Sequence, residues 1–395
     1  MDPAGARAPR IGIDASSVVG QRTGIGHATA NLLNALAEIW PEEWPKISAW
    51  INSPRRGLPR QDPWFRTRNL KIHRTRWPGR AILRGWQRLH WPPIEYFTGG
   101  VDLIHAPASY IPPVQQARRV ITVHDVYFNY APQDVDTWGG KYFLQTFPRA
   151  LPSVDHIIAV SKFTRDELLH FYPIDPDKIT VVHSGVDRQR FSPEARPDDD
   201  RILHRLGIEL PYLLCVATLE PRKNLPALME GYARMIQILK AARQKPPRLV
   251  ITGPPGWSSI SMEKLVTDHE VRKLVKWTGY VPDEVLPALY RKAFALIFPS
   301  VYEGFGMPVL EAMSCGCPVV MSNAGSLPEI GGDCATYFNP KSSDSIARGL
   351  ATFMIDPHLR AYLRASGLNH VKKFSWQQTA RETIDVYRRV LEPGE

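Results

Sequence analysis

Short apolar runs recur along this chain, with helical stretches between them. In the first half they fall at residues 10–16, 47–51, 101–105, 120–124, 156–160 and 179–183. In the second half they fall at 212–218, 248–253, 295–299 and 318–322. Apolar strands separated by helices predict parallel sheets covered on both faces. After the first run, Ala28, Leu32, Leu36 and Ile39 share one helical face. Residues 226–239 and 283–293 read as helices, the second with Asp283 as its N-cap. Helices then fill 343–390, broken around 374–376. A chain of 395 residues exceeds what one core supports. The expected fold class is α/β, with two doubly wound, Rossmann-like domains facing a cleft and ligand sites at the carboxyl ends of strands. Residues 187–201 hold Pro193, Pro197 and the run Asp198, Asp199, Asp200, and read as a linker or exposed loop.

Composition is ordinary for a soluble globular protein, with 44% hydrophobic and 22% charged residues. The four cysteines, Cys215, Cys315, Cys317 and Cys334, show no zinc-knuckle spacing and read as reduced thiols in a cytosolic protein. The amino end does not read as a signal peptide, and no run of about 18 apolar residues is visible, so no membrane span is expected. The expected location is cytoplasmic, or peripheral on the inner face of the cytoplasmic membrane.

Charge is concentrated. Residues 54–97 hold eleven basic side chains against Asp62 and Glu95, which is nine of the chain's ten net positive charges. Arg55, Arg56, Arg60, Arg66, Arg68, Lys71, Arg74, Arg76, Arg80, Arg84 and Arg88 alternate with Trp64, Phe65, Trp77, Trp86, Trp91, Tyr96 and Phe97. This pattern suits docking on anionic lipid. Nucleic-acid binding by charge and stacking, and a solvated face with its aromatics in the core, are the other readings. The first is preferred, with no nucleic-acid partner.

The segment 303–311 carries chemistry. An apolar strand ending at Pro299 delivers the chain to a glycine-rich loop, and Pro308 suits the first turn of a helix. Gly304 and Gly306 let a ligand approach the backbone. The N–H groups of Gly306 and Met307, with the helix dipole, make an anion site. Glu303 and Glu311 bracket it, and carboxylates accept from hydroxyls rather than bind phosphate. An anion site flanked by hydroxyl acceptors fits a sugar joined to a diphosphate. The plainer alternative makes Glu311 a cap of its own helix and Glu303 an exposed side chain.

Three other features sit at strand ends. Arg222 and Lys223, within residues 220–224, follow the strand at 212–218 and supply cations for a diphosphate. Gly24 and Gly26 lie in a loop after the first strand, in a Gly-x-Gly without the third glycine of a dinucleotide fingerprint. His124, followed by Asp125, ends a strand of the first half and is expected to face the cleft.

Together, Glu303 and Glu311, Arg222 and Lys223, Gly24 and Gly26, and His124 with Asp125 resemble the retaining glycosyltransferases of family 4, with the GT-B fold. The similarity covers nearly the whole chain in the expected order. The resemblance implies an N-terminal acceptor domain over 1–190, a nucleotide-sugar donor domain over 191–375, and a last helix, 376–395, crossing back onto the first domain. It implies that Glu303 lies near the donor sugar and that Glu311 accepts from the ribose hydroxyls. Arg222 and Lys223 would stabilise the departing diphosphate. Backbone amides at Phe305, Gly306 and Met307 would touch sugar and phosphate. The base would stack near Tyr280 and Val281, Gly24 and Gly26 would lie against the phosphates, and His124 would contact the sugar.

No cofactor or metal is expected; the nucleotide sugar is the co-substrate and a saccharide or lipid-linked saccharide the acceptor. By resemblance to bacterial polysaccharide mannosyltransferases, GDP-mannose is the first donor choice. UDP-glucose, UDP-GlcNAc and dTDP-rhamnose stay open, as do a sugar-nucleotide epimerase and a non-catalytic scaffold.

Overall fold

The computed structural model describes residues 7–392, apart from 21, 54–56, 59, 61, 109, 135–137 and 257–268. It divides into two compact units, Met1–Gly185 with Ser375–Glu395, and Val186–Phe374.

The first unit is built on seven strands: β1 Ile11–Asp14, β2 Ile47–Asn52, β3 Leu70–Thr75, β4 Leu103–Ala106, β5 Arg118–Val123, β6 His156–Ala159 and β7 Ile179–Val181. They lie in the order β3-β2-β1-β4-β5-β6-β7, every pair parallel. The order reverses between β1 and β4. The second unit has β8 Tyr212–Val216, β9 Arg248–Thr252, β10 Val275–Gly279, β11 Ala295–Phe298, β12 Val319–Ser322 and β13 Thr336–Phe338. Their order, β10-β9-β8-β11-β12-β13, is again parallel and reverses between β8 and β11. Such reversals open a crevice beyond the carboxyl ends of the two flanking strands.

Strands β1, β4, β6, β11 and β12 are buried along their whole length, which is why they read as unbroken apolar runs. Strands β3, β10 and β13 escaped the sequence reading. Each is an outermost strand with partly exposed side chains, so polar residues interrupt its pattern.

In the second unit, helix Leu225–Ala241 buries Leu228, Tyr232, Met235 and Leu239 at helical spacing. Burying each Leu or Met side chain there contributes about 1.5–3 kcal/mol. Gly231 lets helix Ser343–Ile355 approach, since a Cβ there would sit 2.5 Å from Ile346 Cγ2. In the first unit, the last helix, Trp376–Leu391, starts at Ser375, whose side chain accepts from Gln378 N. It is fixed by Thr379 Oγ1 donating to His183 O (2.8 Å) and by Tyr387 Oη against His105 Nδ1 (2.6 Å).

Two expectations need correction. The helix predicted to begin at Asp283 begins at Leu286, after Val285, and Asp283 instead offers its carbonyl to Arg190 Nη2 at 2.5 Å. Pro287 sets the first turn there. Within residues 187–201, Asp199 is neither linker nor exposed. It opens helix Asp199–Arg205, is 1% exposed, and accepts from Arg291 Nε (2.8 Å) and Nη2 (2.5 Å). Cys215, Cys315 and Cys317 are buried free thiols, and Cys334 is half-buried.

Candidate functional site

The β8/β11 reversal gathers the second unit's charged residues. After β8 the chain makes a tight turn, Pro221–Lys223, closed by Asn224 in the left-handed region (φ 55°). Asn224 Nδ2 donates to Pro299 O (3.2 Å) and Pro340 O (2.8 Å), and Val301 N donates to Arg222 O (2.9 Å). The loops following β8 and β11 are thereby laced together.

The second loop is clamped from behind. Ser326 N and Oγ both donate to Glu303 O at 3.0 Å, and Ser326 Oγ also lies 2.8 Å from Phe305 O. Gly325 permits this, because a Cβ there would meet Glu303 O at 2.7 Å. Gly306 (φ 107°) then turns the chain into helix Met307–Ser314, with Pro308 in its first turn. Pro308 has no N–H and Val309 N donates to Gly306 O (3.0 Å), so the amides of Gly306 and Met307 stand at the positive end of that helix.

On this frame, Lys223 Nζ donates to Glu303 Oε1 (2.6 Å) and Arg222 Nη1 to Glu303 Oε2 (3.1 Å), while Arg222 Nε donates to Glu220 Oε2 (2.8 Å). The side chains are 12% exposed for Lys223, 19% for Arg222 and 8% for Glu303. Burial pushes the Glu303 carboxyl up, but the charges of Lys223 and then Arg222 outweigh it and hold it below its ordinary value. Glu303 is therefore not an exposed side chain. It is the anchor that fixes both cations, and two carboxylates balance the two cations.

Glu311 lies on the half-buried side of its helix and does not cap it: Gly306 is the N-cap and no acid occupies the first turn. Its Oε2 accepts from Tyr290 Oη at 2.9 Å. At the end of β10, Gly279 (φ 70°) turns the chain so that Tyr280 is 48% exposed and Val281 is buried. Tyr280 can offer its ring, Val281 only its backbone. Phe305 is buried with its ring edge toward Phe374.

In the first unit, Gly24 and Gly26 are not in a loop; both belong to the opening turn of helix Gly24–Ile39, whose N-cap is Thr23. Their reasons differ. A Cβ on Gly26 would sit 2.5 Å from Ser17 O, so packing requires that glycine. A Cβ on Gly24 would meet nothing within 4 Å. His124 Nε2 lies 2.8 Å from Pro107 O and must carry its hydrogen to donate there. Burial lowers its pKa, so the ring is neutral. It borders a cavity of about 30 Å³, room for one water, beside Thr29, Thr122, Ser184, Trp376 and Thr379.

The stretch 54–97 divides into core and surface. Trp64, Trp86 and Phe97 are buried, whereas Trp77, Leu89, Trp91 and Tyr96 are 38, 72, 53 and 70% exposed. Rings of Trp77 and Trp91 lie 6.3 Å apart, Trp77 and Phe97 5.7 Å, and Tyr96 and Phe97 5.5 Å, so the aromatics are contiguous. Helix Gly79–Leu89 turns Ile82 and Trp86 inward and leaves Arg80, Arg84 and Arg88 exposed at fourfold spacing. Both acids of the stretch are engaged. Asp62 pairs with Arg22, and Glu95 Oε1 accepts from the backbone N–H groups of Gln115, Gln116 and Ala117 at 2.8–3.0 Å. Arg55 and Arg56 lie outside the described residues. Among the described residues, no helix is long and apolar enough to cross a membrane.

The sequence reading gave no role to Glu220, Asn224, Ser326 or Tyr290. Glu220 and Asn224 bracket Arg222 and Lys223 and had a local signal. Ser326 and Tyr290 act across 23 and 21 residues and had none.

Comparison with known proteins sets this geometry in context. Residues 46–190 match the family model described as Glycosyltransferase Family 4, and residues 199–370 that described as Glycosyl transferases group 1. The chain is 32% identical over 287 residues to the O-antigen chain mannosyltransferase B of Escherichia coli, covering 72% of this chain and 74% of that one. It is 29% identical over 262 residues to the MMP alpha-(1->4)-mannosyltransferase of Mycolicibacterium hassiacum, covering 65% of this chain and 59% of that one. Sucrose-phosphate synthase from Thermosynechococcus elongatus is similar with a TM-score of 0.72 at 19% identity, over 97% of this chain and 99% of that one. Anabaena HepE, solved in complex with UDP-glucose, gives 0.71 at 15% identity, over 96% and 99%. At these identities the structural likeness speaks to fold alone.

Proposed function

The chain belongs to glycosyltransferase family 4 and has the GT-B fold, and we propose that it moves mannose from GDP-mannose, with retention of configuration, to a glycan or lipid-linked saccharide in cell-surface polysaccharide biosynthesis. The observation that carries this reading is the meeting of Arg222, Lys223 and Glu303 beside the amino end of helix Met307–Ser314 at the β8/β11 reversal. The mannosyltransferase names of the two relatives support the sugar.

In this reading the diphosphate lies against Arg222, Lys223 and the N–H groups of Gly306 and Met307. The bond from the anomeric carbon to the phosphate oxygen breaks with oxocarbenium character. Negative charge grows on the leaving phosphate, where fixed cations and the helix end stabilise it without reorganising. The acceptor hydroxyl attacks from the face the leaving group vacates, and the departing phosphate oxygen takes its proton. Configuration is kept with no side-chain base. Glu303 stays near the sugar while holding both cations, and Glu311 accepts from the ribose. The base stacks on Tyr280 beside the backbone of Val281, and the Phe305 backbone lies against the sugar. Open space at Gly24 lets a phosphate approach its backbone, and neutral His124 contacts the sugar. No metal takes part, so chelation leaves turnover unchanged.

UDP-glucose is the second donor to test; HepE, whose fold this chain shares, was solved with that nucleotide sugar. The test is turnover of GDP-mannose, UDP-glucose, UDP-GlcNAc and dTDP-rhamnose with a saccharide acceptor. Proton NMR of the product gives the anomeric configuration. An inverted product removes retention, and an isomerised donor without acceptor makes the protein an epimerase.

The exposed aromatic and arginine face of residues 77–96 supports a partner as well: an anionic membrane surface, on the inner face of the cytoplasmic membrane. Arg80, Arg84 and Arg88 meet lipid phosphates while Trp77, Leu89, Trp91 and Tyr96 enter the headgroup region. This arrangement suits an acceptor carried on lipid.

A further inference from the structure

Among the three tyrosines of the second unit with no exposed surface, Tyr212, Tyr232 and Tyr290, the last differs in what its hydroxyl serves. Tyr212 Oη donates to Leu289 O (2.7 Å) and Tyr232 Oη to Pro247 O (2.6 Å), so both satisfy the backbone that surrounds them. Tyr290, 0% exposed, instead donates to the carboxylate of Glu311 at 2.9 Å. A phenol held against an ionised carboxylate is a charge-assisted bond, stronger than the carbonyl bonds its neighbours make.

Everything around this phenol holds it still. Its ring packs edge-on against Phe191, at 6.0 Å between centroids. Its helix, Leu286–Lys292, is tied to helix Asp199–Arg205 through the buried Arg291–Asp199 pair. Burial, then the charge of Glu311, raises the phenol pKa well above its ordinary value, so the proton stays available to donate across the working pH range. Glu311 is a flexible side chain on a half-buried helix face, and a rigid donor selects one orientation of its carboxylate.

We infer that Tyr290 is a positioning residue: it sets the orientation in which Glu311 receives the donor's ribose hydroxyls, and so contributes to nucleotide recognition without touching the nucleotide. This rests on the ribose role proposed above for Glu311. Positioning acts on binding more than on the bond-breaking step. Tyr290→Phe is expected to raise the donor KM about tenfold while kcat stays within about twofold.

The test is isothermal titration of the full chain with GDP and with UDP, each paired with its 2′,3′-dideoxy form. The variants are Tyr290→Phe, Glu311→Gln, the double substitution, and Leu289→Ala as a buried control on the same helix. The native chain is expected to prefer the hydroxylated nucleotide. That preference falls about tenfold in Tyr290→Phe, which keeps the ring and its packing, and the double variant does no worse than Glu311→Gln. Leu289→Ala lowers the melting temperature but keeps the preference. An unchanged preference in Tyr290→Phe, with a lost one in Glu311→Gln, overturns the role of Tyr290 and leaves that of Glu311. A preference retained in Glu311→Gln, or loss of preference in Leu289→Ala to the same degree as in Tyr290→Phe, overturns the inference at its root. Binding of neither nucleotide by the native chain overturns the donor reading and this inference together.

Discussion

Lys223 Nζ lies 2.6 Å from Glu303 Oε1, joining residues 80 apart in the chain. Arg222 shares the same carboxylate at 3.1 Å and is held from its other side by Glu220. The pairings fix two cations at the end of a sheet, where a flexible Lys or Arg would otherwise lose rotamer freedom on meeting an anion. In the proposed reading, removing either cation removes stabilisation of the leaving diphosphate. Lys223→Ala or Arg222→Ala is expected to lower kcat by about 10²–10³-fold with far-UV circular dichroism unchanged. Near-native turnover in both would end the claim that these cations serve the leaving group.

The two glycines of the first helix separate packing from ligand approach. Gly26→Ala drives a Cβ into Ser17 O, and should lower the melting temperature by several degrees. Gly24→Ala adds a methyl to open space and should leave the melting temperature within a degree or two while raising the donor KM. Equal effects of both substitutions on melting, with the donor KM untouched, would remove Gly24 from the site.

His105 gives the first unit a pH-dependent stability. Burial, reinforced by His124, lowers its pKa from an ordinary 6.5 to about 3, and both ring nitrogens are engaged by Tyr387 and Thr122. The folded form therefore stays neutral where the unfolded chain binds a proton. Its contribution is complete above 6.5 and is lost progressively as the pH falls from 6.5 toward 3. Chemical denaturation between pH 7 and 4 should show stability falling with pH, and a shallower slope in His105→Gln. An identical slope in that variant would show that the proton binds elsewhere.

The proposed lipid docking can be tested for charge and for insertion separately. Replacing Arg80, Arg84 and Arg88 together with Gln should weaken binding to vesicles containing anionic lipid by about 10²-fold at low salt, given about 1 kcal/mol per basic residue. Leu89→Ser with Trp91→Ala should weaken binding at high salt as well, because salt does not screen apolar insertion. Co-sedimentation is the readout. A native chain that ignores anionic vesicles at low salt, or that binds single-stranded RNA in their place, would refute the lipid reading.

How far the sequence revealed this molecule follows from burial. Interior strands such as β4 and β11 have every side chain in the core and announce themselves as apolar runs. The outer strands β3, with Lys71 and Arg74, and β10, with Lys276 and Trp277, are half in solvent and carry no such mark. The site follows the same logic. Residues 222–223 and 303–311 were legible because each stands just after an apolar strand, where doubly wound sheets place ligands. That Glu303 would grip both cations was not legible. That contact depends on the reversal between β8 and β11, which no local pattern encodes. Tyr290 was hidden for the same reason, since a tyrosine in an apolar helix looks like core until its hydroxyl finds Glu311.

In the proposed reading, the second unit cradles a nucleoside diphosphate through Arg222, Lys223 and the start of helix Met307–Ser314. Thermal melting of the native chain and of Lys223→Ala, each with millimolar GDP, UDP and dTDP, tests it most directly. Saturation at a hundred times Kd adds about 2.7 kcal/mol to stability. One diphosphate, GDP first, is expected to raise the native melting temperature by several degrees, and Lys223→Ala to lose most of the rise. No shift with any of the three, or the same shift in the variant, would contradict it.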